Sequence, residues 1–194
     1  MGASADLAVL GGDAPAVAPL LLGAVVRRGE AAVRLTEVEA YAGARDPGSH
    51  AFRGRTPRNA VMFGPAGHLY TYFVYGMHVC ANVVTGPDGE ASAVLLRAGE
   101  VVTPLDPALT AAGRRDLARG PARLCRALGI GLADGGTDLR LGPVTLELGD
   151  PAPPEQVRSG PRVGLRNGAA TPWRFWLDGE PTVSQYRPAA RRRM

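Results

Sequence analysis

The segment Ala24–Tyr41, AVVRRGEAAVRLTEVEAY, constrains the fold more than any other. It reads as a strand, a turn at Arg28-Gly29-Glu30 and a longer strand ending near Tyr41: valines recur in both arms and glycine sits at the bend. So short a turn joins neighbouring strands only in the antiparallel sense. HLYTYFVYGMHVCANVV (68–84) reads as a second hairpin or a sharply bent strand pair with Gly76 at the bend, and SAVLLRAGEV (92–101) as a further strand. LRLGPVTLEL, PRVGL and WRFWL supply more strand-like runs. Helical signals are fewer. Asp13-Ala14-Pro15 resembles an N-cap followed by an early helical proline, opening a short helix through about Leu22. Residues 107–115 and 120–128 look helical, with Leu124 and Leu128 on one face and glycines 129 and 131 as stops. There is neither β-α-β alternation nor a GxGxxG run. The expected class is α+β, a single mixed domain over 1–194 with mainly antiparallel strands and flexible ends at 1–12 and 187–194.

Composition narrows the function. A chain of 194 residues, 45% hydrophobic, suits one domain with one core. The longest mainly apolar run, AVAPLLLGAVV (16–26), is too short to span a bilayer and is broken by Pro19 and Gly23. No basic n-region precedes an apolar stretch, which argues against a secretory signal. Cys80 and Cys125 fit buried thiols of a reducing compartment better than a disulfide or zinc framework. The three histidines, His50, His68 and His78, lack metal spacing, and neither HExxH nor CxxC occurs, so no metal or cofactor is expected. GxSxG is absent as well. The net charge of +4 is compatible with a nucleic-acid partner, and all 22 basic residues are arginine.

Candidate chemistry gathers in three places. On the strand RLTEVEAY, strict alternation puts Leu35, Glu37, Glu39 and Tyr41 on one face, with the two carboxylates roughly 7 Å apart along the backbone. They form a solvated face of an edge strand, or a general base, or a glycosidase-type pair. Arg97 ends the apolar run AVLL and must reach solvent or a partner, as a structural ion pair or as the charge that holds a catalytic carboxylate or water. The third place is aromatic. Seven of the eleven aromatic residues fall between Tyr41 and Tyr75, interleaved with Arg53, Arg55 and Arg58. Phenylalanines there suit a core, but tyrosines with arginines also stack nucleobases and neutralise phosphate. The glycine after Tyr75 would leave that ring exposed at a tip, like a wedge entering a base stack. The loop 42–67 is long for a structureless connection, which points to function or disorder.

TEVEAYAG, His50, RTPRNAVMFGPAGHLYTYFVYGMHVCANVV, AVLLRAGE, GPARLCRALGI, PRVGL and WRFW together resemble the alkyladenine (3-methyladenine) DNA glycosylase family, of the bacterial type, from about Leu20 to Val183. The resemblance implies a curved antiparallel sheet with flanking helices and a protruding, DNA-inserting hairpin. It implies flipping of a damaged purine from duplex DNA and hydrolysis of its N-glycosidic bond, by a monomer of the cytoplasm and nucleoid. Glu39 matches the water-activating carboxylate; Arg97 and the carbonyl of Val163 match groups that position that water. Tyr41 and His50 match the walls stacking on the flipped base, Tyr72 lines the pocket, and Asn82 matches the residue that crowds the N2 amino group of guanine. Tyr75 matches the ring that fills the gap left in the duplex, with Met77 beside it. Thr56, Arg58 and Gly76 fall at or near DNA-backbone contacts. His78 stands where the family commonly has tyrosine, and LRNGAATPW after Gly164 is diverged and shortened.

Two other classes compete: a non-catalytic nucleic-acid-binding module, which has no need of Glu39 with Arg97, and an O-glycoside hydrolase using Glu37 and Glu39. Neighbours on one strand face point the same way and do not flank a sugar, which weighs against the last. The absence of lysine leaves only the terminal amine for a Schiff base, so a monofunctional glycosylase is expected.

Overall fold

The computed structural model describes residues 7–74, 76–103 and 111–190. Within them, one antiparallel sheet contains β1 (Val25–Arg28), β2 (Ala31–Tyr41), β3 (Leu69–Val74), β4 (His78–Val84), β5 (Ala93–Val101), β6 (Val144–Glu147), β7 (Val157–Gly160) and β8 (Arg174–Leu177). The order is β3-β4-β5-β2-β1-β6, and β8 joins β2 and carries β7. The class is α+β, as expected.

β2 is the organising strand. β5 takes one edge along Val33–Tyr41, while the other edge is divided: Ala31–Arg34 pair with β1 and Glu37–Glu39 with β8. Eleven residues are enough for this division, which buries the distal half of the strand on both faces. The β2–β5 register shifts between Leu35 and Glu37 and again before Val38. This bulge corrects the expected alternation. Val33, Leu35, Val38 and Ala40 all enter the main core, whereas Glu37 and Glu39 point away from it, toward Arg97. A bulge inserts a residue and switches the face of everything after it, so Leu35 does not share the face of the glutamates.

Three helices are described: α1 (Ala14–Val17), α2 (Ala111–Asp116) and α3 (Pro121–Leu128). The short first helix starts where Asp13 predicts, but the Asp13 carboxylate accepts from Arg45 and makes no cap bond. The helix expected from Pro107 is seen from Ala111; residues 104–110 lie outside the described residues. On α3, Leu124, Cys125 and Leu128 face the core against β4 and β5. It ends in a Schellman motif: Gly129 takes φ 66°, its amide donates to Arg126 and the amide of Ile130 donates to Cys125.

Three expectations need correction. PRVGL is not a strand; Arg162 turns inward and is fully buried. β7, VRSG, was not foreseen, because an edge strand with two exposed polar residues carries no hydrophobic alternation. Leu7–Gly11, expected to belong to a flexible end, form a 3-10 helix with Leu7 and Leu10 buried. Both cysteines are buried free thiols. Among the described residues no helix is long and apolar enough to cross a membrane.

Candidate active site

Glu37 and Glu39 are both fully buried, which removes the solvated-edge reading. Their surroundings differ. Glu37 accepts from Arg97 Nε and Arg174 Nε at 2.7 Å each, from the Ser184 amide at 2.6 Å and from the Ser184 hydroxyl at 3.0 Å. Four donors saturate it inside the protein. Glu39 accepts from the Tyr41 hydroxyl at 2.9 Å and the Val163 amide at 2.7 Å, with Arg97 Nε 3.5 Å away. It alone of the two lines a cavity of about 400 Å³. Arg97 reaches both carboxylates because the β2–β5 pairing skips it: Glu37 faces Ala98 and Val38 faces Leu96.

The cavity has aromatic walls. His50 meets Tyr72 edge-on at 4.5 Å between centroids, and Tyr72 stacks on Tyr70 at 5.6 Å. Tyr41 contributes a further wall, and Met62, Leu95 and Leu165 add apolar surface. Asn82 also faces the cavity, its amide held by the Tyr70 carbonyl at 3.1 Å. Tyr70, which the sequence reading keeps in the core or a supporting layer, is buried, bonds His50 Nδ1 at 3.2 Å and touches the cavity as well.

Most of these walls are uncharged at neutral pH. Burial, aided by Arg58, holds His50 below its ordinary value. Burial pushes Tyr41 and Tyr72 well above the tyrosine range and the Cys80 thiol up to about 11. Burial also raises Glu39, against the pull of Arg97, the Val163 amide and the Tyr41 hydroxyl. A carboxylate moved toward neutrality by desolvation, yet held by three opposing groups, is poised to exchange a proton.

The loop between β2 and β3 is folded. Asn59, which sequence reasoning did not single out, is buried and donates to the carbonyls of His50 and Gly54 at 3.0 and 3.1 Å; its oxygen accepts from the Thr56 amide at 2.7 Å. Arg58 donates to the Phe73 carbonyl at 2.9 Å and so joins this loop to the β3–β4 hairpin. Thr56 and Arg58 are exposed. At the hairpin tip Gly76 takes φ 69°, Met77 is 72% exposed and His78 is exposed. Tyr75, expected to be the inserting ring, lies outside the described residues. Arg162 is the second residue the sequence reading passed over; it pairs with Asp46 deep behind Tyr41. Its sequence neighbours gave no sign that an arginine in PRVGL would be buried.

The sequence pattern of the family described as methylpurine-DNA glycosylase (MPG) matches residues 8–181. The chain belongs to that family. It is a DNA glycosylase, a hydrolase of N-glycosyl bonds that acts in DNA repair. Similar chains include one from Leifsonia xyli subsp. xyli, 58% identical over 187 residues (88% of this chain, 87% of the relative). Another, from Nocardia farcinica, is 56% identical over 193 residues (92% and 90%), and one from Streptomyces avermitilis is 55% identical over 189 residues (91% and 89%). Each bears the name "Putative 3-methyladenine DNA glycosylase". In this methylpurine-DNA glycosylase family member Glu39, Tyr41, His50, Tyr72, Asn82, Arg97 and Val163 all line one cavity. Thr56, Arg58, Gly76, Met77 and His78 are not among its lining residues.

Proposed function

We propose that this enzyme flips 3-methyladenine and related alkylated or deaminated purines out of duplex DNA and hydrolyses the N-glycosidic bond with a water activated by Glu39. The observation that carries the reading is a buried carboxylate on the floor of an aromatic-walled cavity whose other lining groups are mostly neutral. In the reaction the bond from C1′ to the purine nitrogen breaks with its electron pair going to the base. The water oxygen bonds to C1′ and its proton passes to Glu39, whose negative charge also stabilises the oxocarbenium-like transition state. Arg97 keeps the carboxylate ionised, and with the carbonyl of Val163 it orients the water.

Tyr41, His50 and Tyr72 sandwich the flipped base. For cationic N3- or N7-alkylpurines, cation–π attraction adds about 0.5–2 kcal/mol. Neutral hypoxanthine and ethenoadenine rely on stacking. Asn82 crowds the N2 amino group of guanine and excludes the normal base. Extrusion costs a few kcal/mol, and Tyr75, next to Gly76 in the sequence, recovers part of this by stacking, worth roughly 1–3 kcal/mol. Gly76, Met77 and His78 flank that ring against DNA, while Thr56 and Arg58 meet the phosphate backbone. The protein acts as a monomer, and without lysine it leaves an abasic site uncut.

The test is excision from duplex oligonucleotides carrying 3-methyladenine, hypoxanthine or ethenoadenine, by the wild type and by Glu39→Gln. The variant is expected to lose base release while still binding an abasic-site analogue, and the wild type to cut no strand without added base or heat. Near-normal turnover by Glu39→Gln would remove the base assignment.

A further inference from the structure

The two hydrogen-bond donors on the Glu39 carboxylate share one mount. Tyr41 donates to Oε2 and the Val163 amide to Oε1. Arg162 immediately precedes Val163, and its guanidinium carbon lies 4.7 Å from the centroid of the Tyr41 ring and 5.3 Å from that of Trp173. Arg162 is fully buried and does not line the cavity that Tyr41 lines, so it stands behind the ring. Its fork is fixed by Asp46, with Nη1 to Oδ2 at 2.5 Å and Nη2 to Oδ1 at 2.7 Å, and by the carbonyls of Ala40 at 2.8 Å and Gly168 at 3.2 Å. Asp46 in turn accepts from the amides of Ala42 and Gly48. One ion pair therefore ties together the end of β2, the loop leading to His50 and the segment carrying Val163. Its Nε is a buried side-chain atom without a partner. An unpaired buried donor is costly and calls for an explanation. A requirement for this particular planar group, at this position, supplies one.

We propose that Arg162, held by Asp46, is a positioning residue that fixes the Tyr41 hydroxyl and the Val163 amide on the Glu39 carboxylate. The inference rests on the reading of Glu39 as the general base. Lysine cannot substitute, because a point charge on a flexible stem neither grips a carboxylate with two parallel bonds nor stacks on two rings.

The consequence is a change in the acid limb of the pH–rate profile. The groups facing Glu39 are Arg97 from β5, Glu37 and Tyr41 from β2, Tyr72 from β3 and Cys80 from β4; Arg174 from β8 is paired with Glu37. Of these influences, Arg97 and the two donors keep Glu39 ionised, and burial opposes them. Loosening the donors leaves burial in place, so Glu39 gives up its proton at higher pH.

The experiment measures single-turnover excision against pH for the wild type, Arg162→Lys and the doubly neutral Arg162→Met/Asp46→Asn, with melting curves for each and Glu39→Gln as reference. The expected result is a folded variant whose acid limb lies higher by about half a pH unit or more, the direction given by weaker bonding to the carboxylate. A lower rate or melting temperature with the limb unmoved would make the pair merely structural and overturn the inference. So would failure of both variants to fold. An active Glu39→Gln would overturn the base reading and the inference together, whereas an unmoved limb in an enzyme that Glu39→Gln silences overturns the inference alone.

Discussion

Arg97 stands between two carboxylates on one face of β2: its Nε donates to Glu37 Oε1 at 2.7 Å and lies 3.5 Å from Glu39 Oε1. Glu37 also holds Arg174 at 2.7 Å. The two glutamates, two residues apart and equally buried, thus differ in surroundings: Glu37 is saturated inside the protein and Glu39 faces the cavity. Glu37→Gln strips Arg174 of its carboxylate and leaves Arg97 with Glu39 alone, at 3.5 Å, and breaking a buried pair from one side costs about 3–5 kcal/mol. The variant is expected to lose that much in urea denaturation. A Glu37→Gln protein as stable as the wild type would show that Glu37 is not the anchor of the site.

Glu39→Gln should behave in the contrary way. Burial raises the Glu39 carboxyl above its ordinary 4.5 in the folded protein. The folded state therefore binds more protons than the unfolded state between 4.5 and the higher folded value, and stability falls as pH rises through that window. Above the window the loss is complete; below it the loss is absent. Each pH unit of the window is worth about 1.4 kcal/mol. Glutamine does not titrate, so the melting temperature of Glu39→Gln relative to wild type should climb as pH is raised from about 4 to about 8. A difference that does not change with pH would mean Glu39 keeps its ordinary proton affinity.

The contrast between the glutamates marks the limit of what the sequence carries. Alternation put Glu37 and Glu39 on one face, and the residues Glu39, Tyr41, His50, Asn82 and Arg97 of the family motifs line one cavity, four of them on strands and His50 on the folded loop between β2 and β3. The bulge at Leu35–Glu37 was not legible, since it depends on which residues of β5 pair across the gap, a non-local choice. Arg162 and Asn59 were missed for the same reason. Each is a polar residue buried by tertiary partners far along the chain or across a loop, and neither has periodicity or local motif to mark it. β7 failed to register because its burial is slight.

Asn59 supports a third prediction. Asn59→Ala removes the partners of the His50 and Gly54 carbonyls and the Thr56 amide at once. Each buried group left unpaired costs about 1–3 kcal/mol, less where water enters the opened loop. The loop carries His50 and not Glu39, so the loss is expected in binding of the flipped base more than in the chemical step. A rise in KM of about 10-fold, equivalent to about 1.4 kcal/mol, with a smaller fall in kcat is the anticipated result of saturation kinetics under single turnover. A fall confined to kcat would place the role of this loop elsewhere.

Arg58 separates two functions that one side chain combines. It bonds the Phe73 carbonyl, steadying the hairpin, and its guanidinium is exposed beside the Tyr72 ring at 6.0 Å. If it also neutralises a phosphate, binding releases a counterion, and log Kd depends on log salt with a slope that drops by about 0.9 when the charge is removed. Arg58→Ala should weaken binding to lesion-bearing duplex and flatten the salt dependence by about that amount. Arg58→Lys keeps the charge but loses the planar fork, so it should retain the slope while binding less tightly through a looser hairpin. Fluorescence-anisotropy titrations at several salt concentrations distinguish the two terms. Equal slopes for wild type, lysine and alanine would leave Arg58 with the hairpin alone and take the phosphate contact away from it.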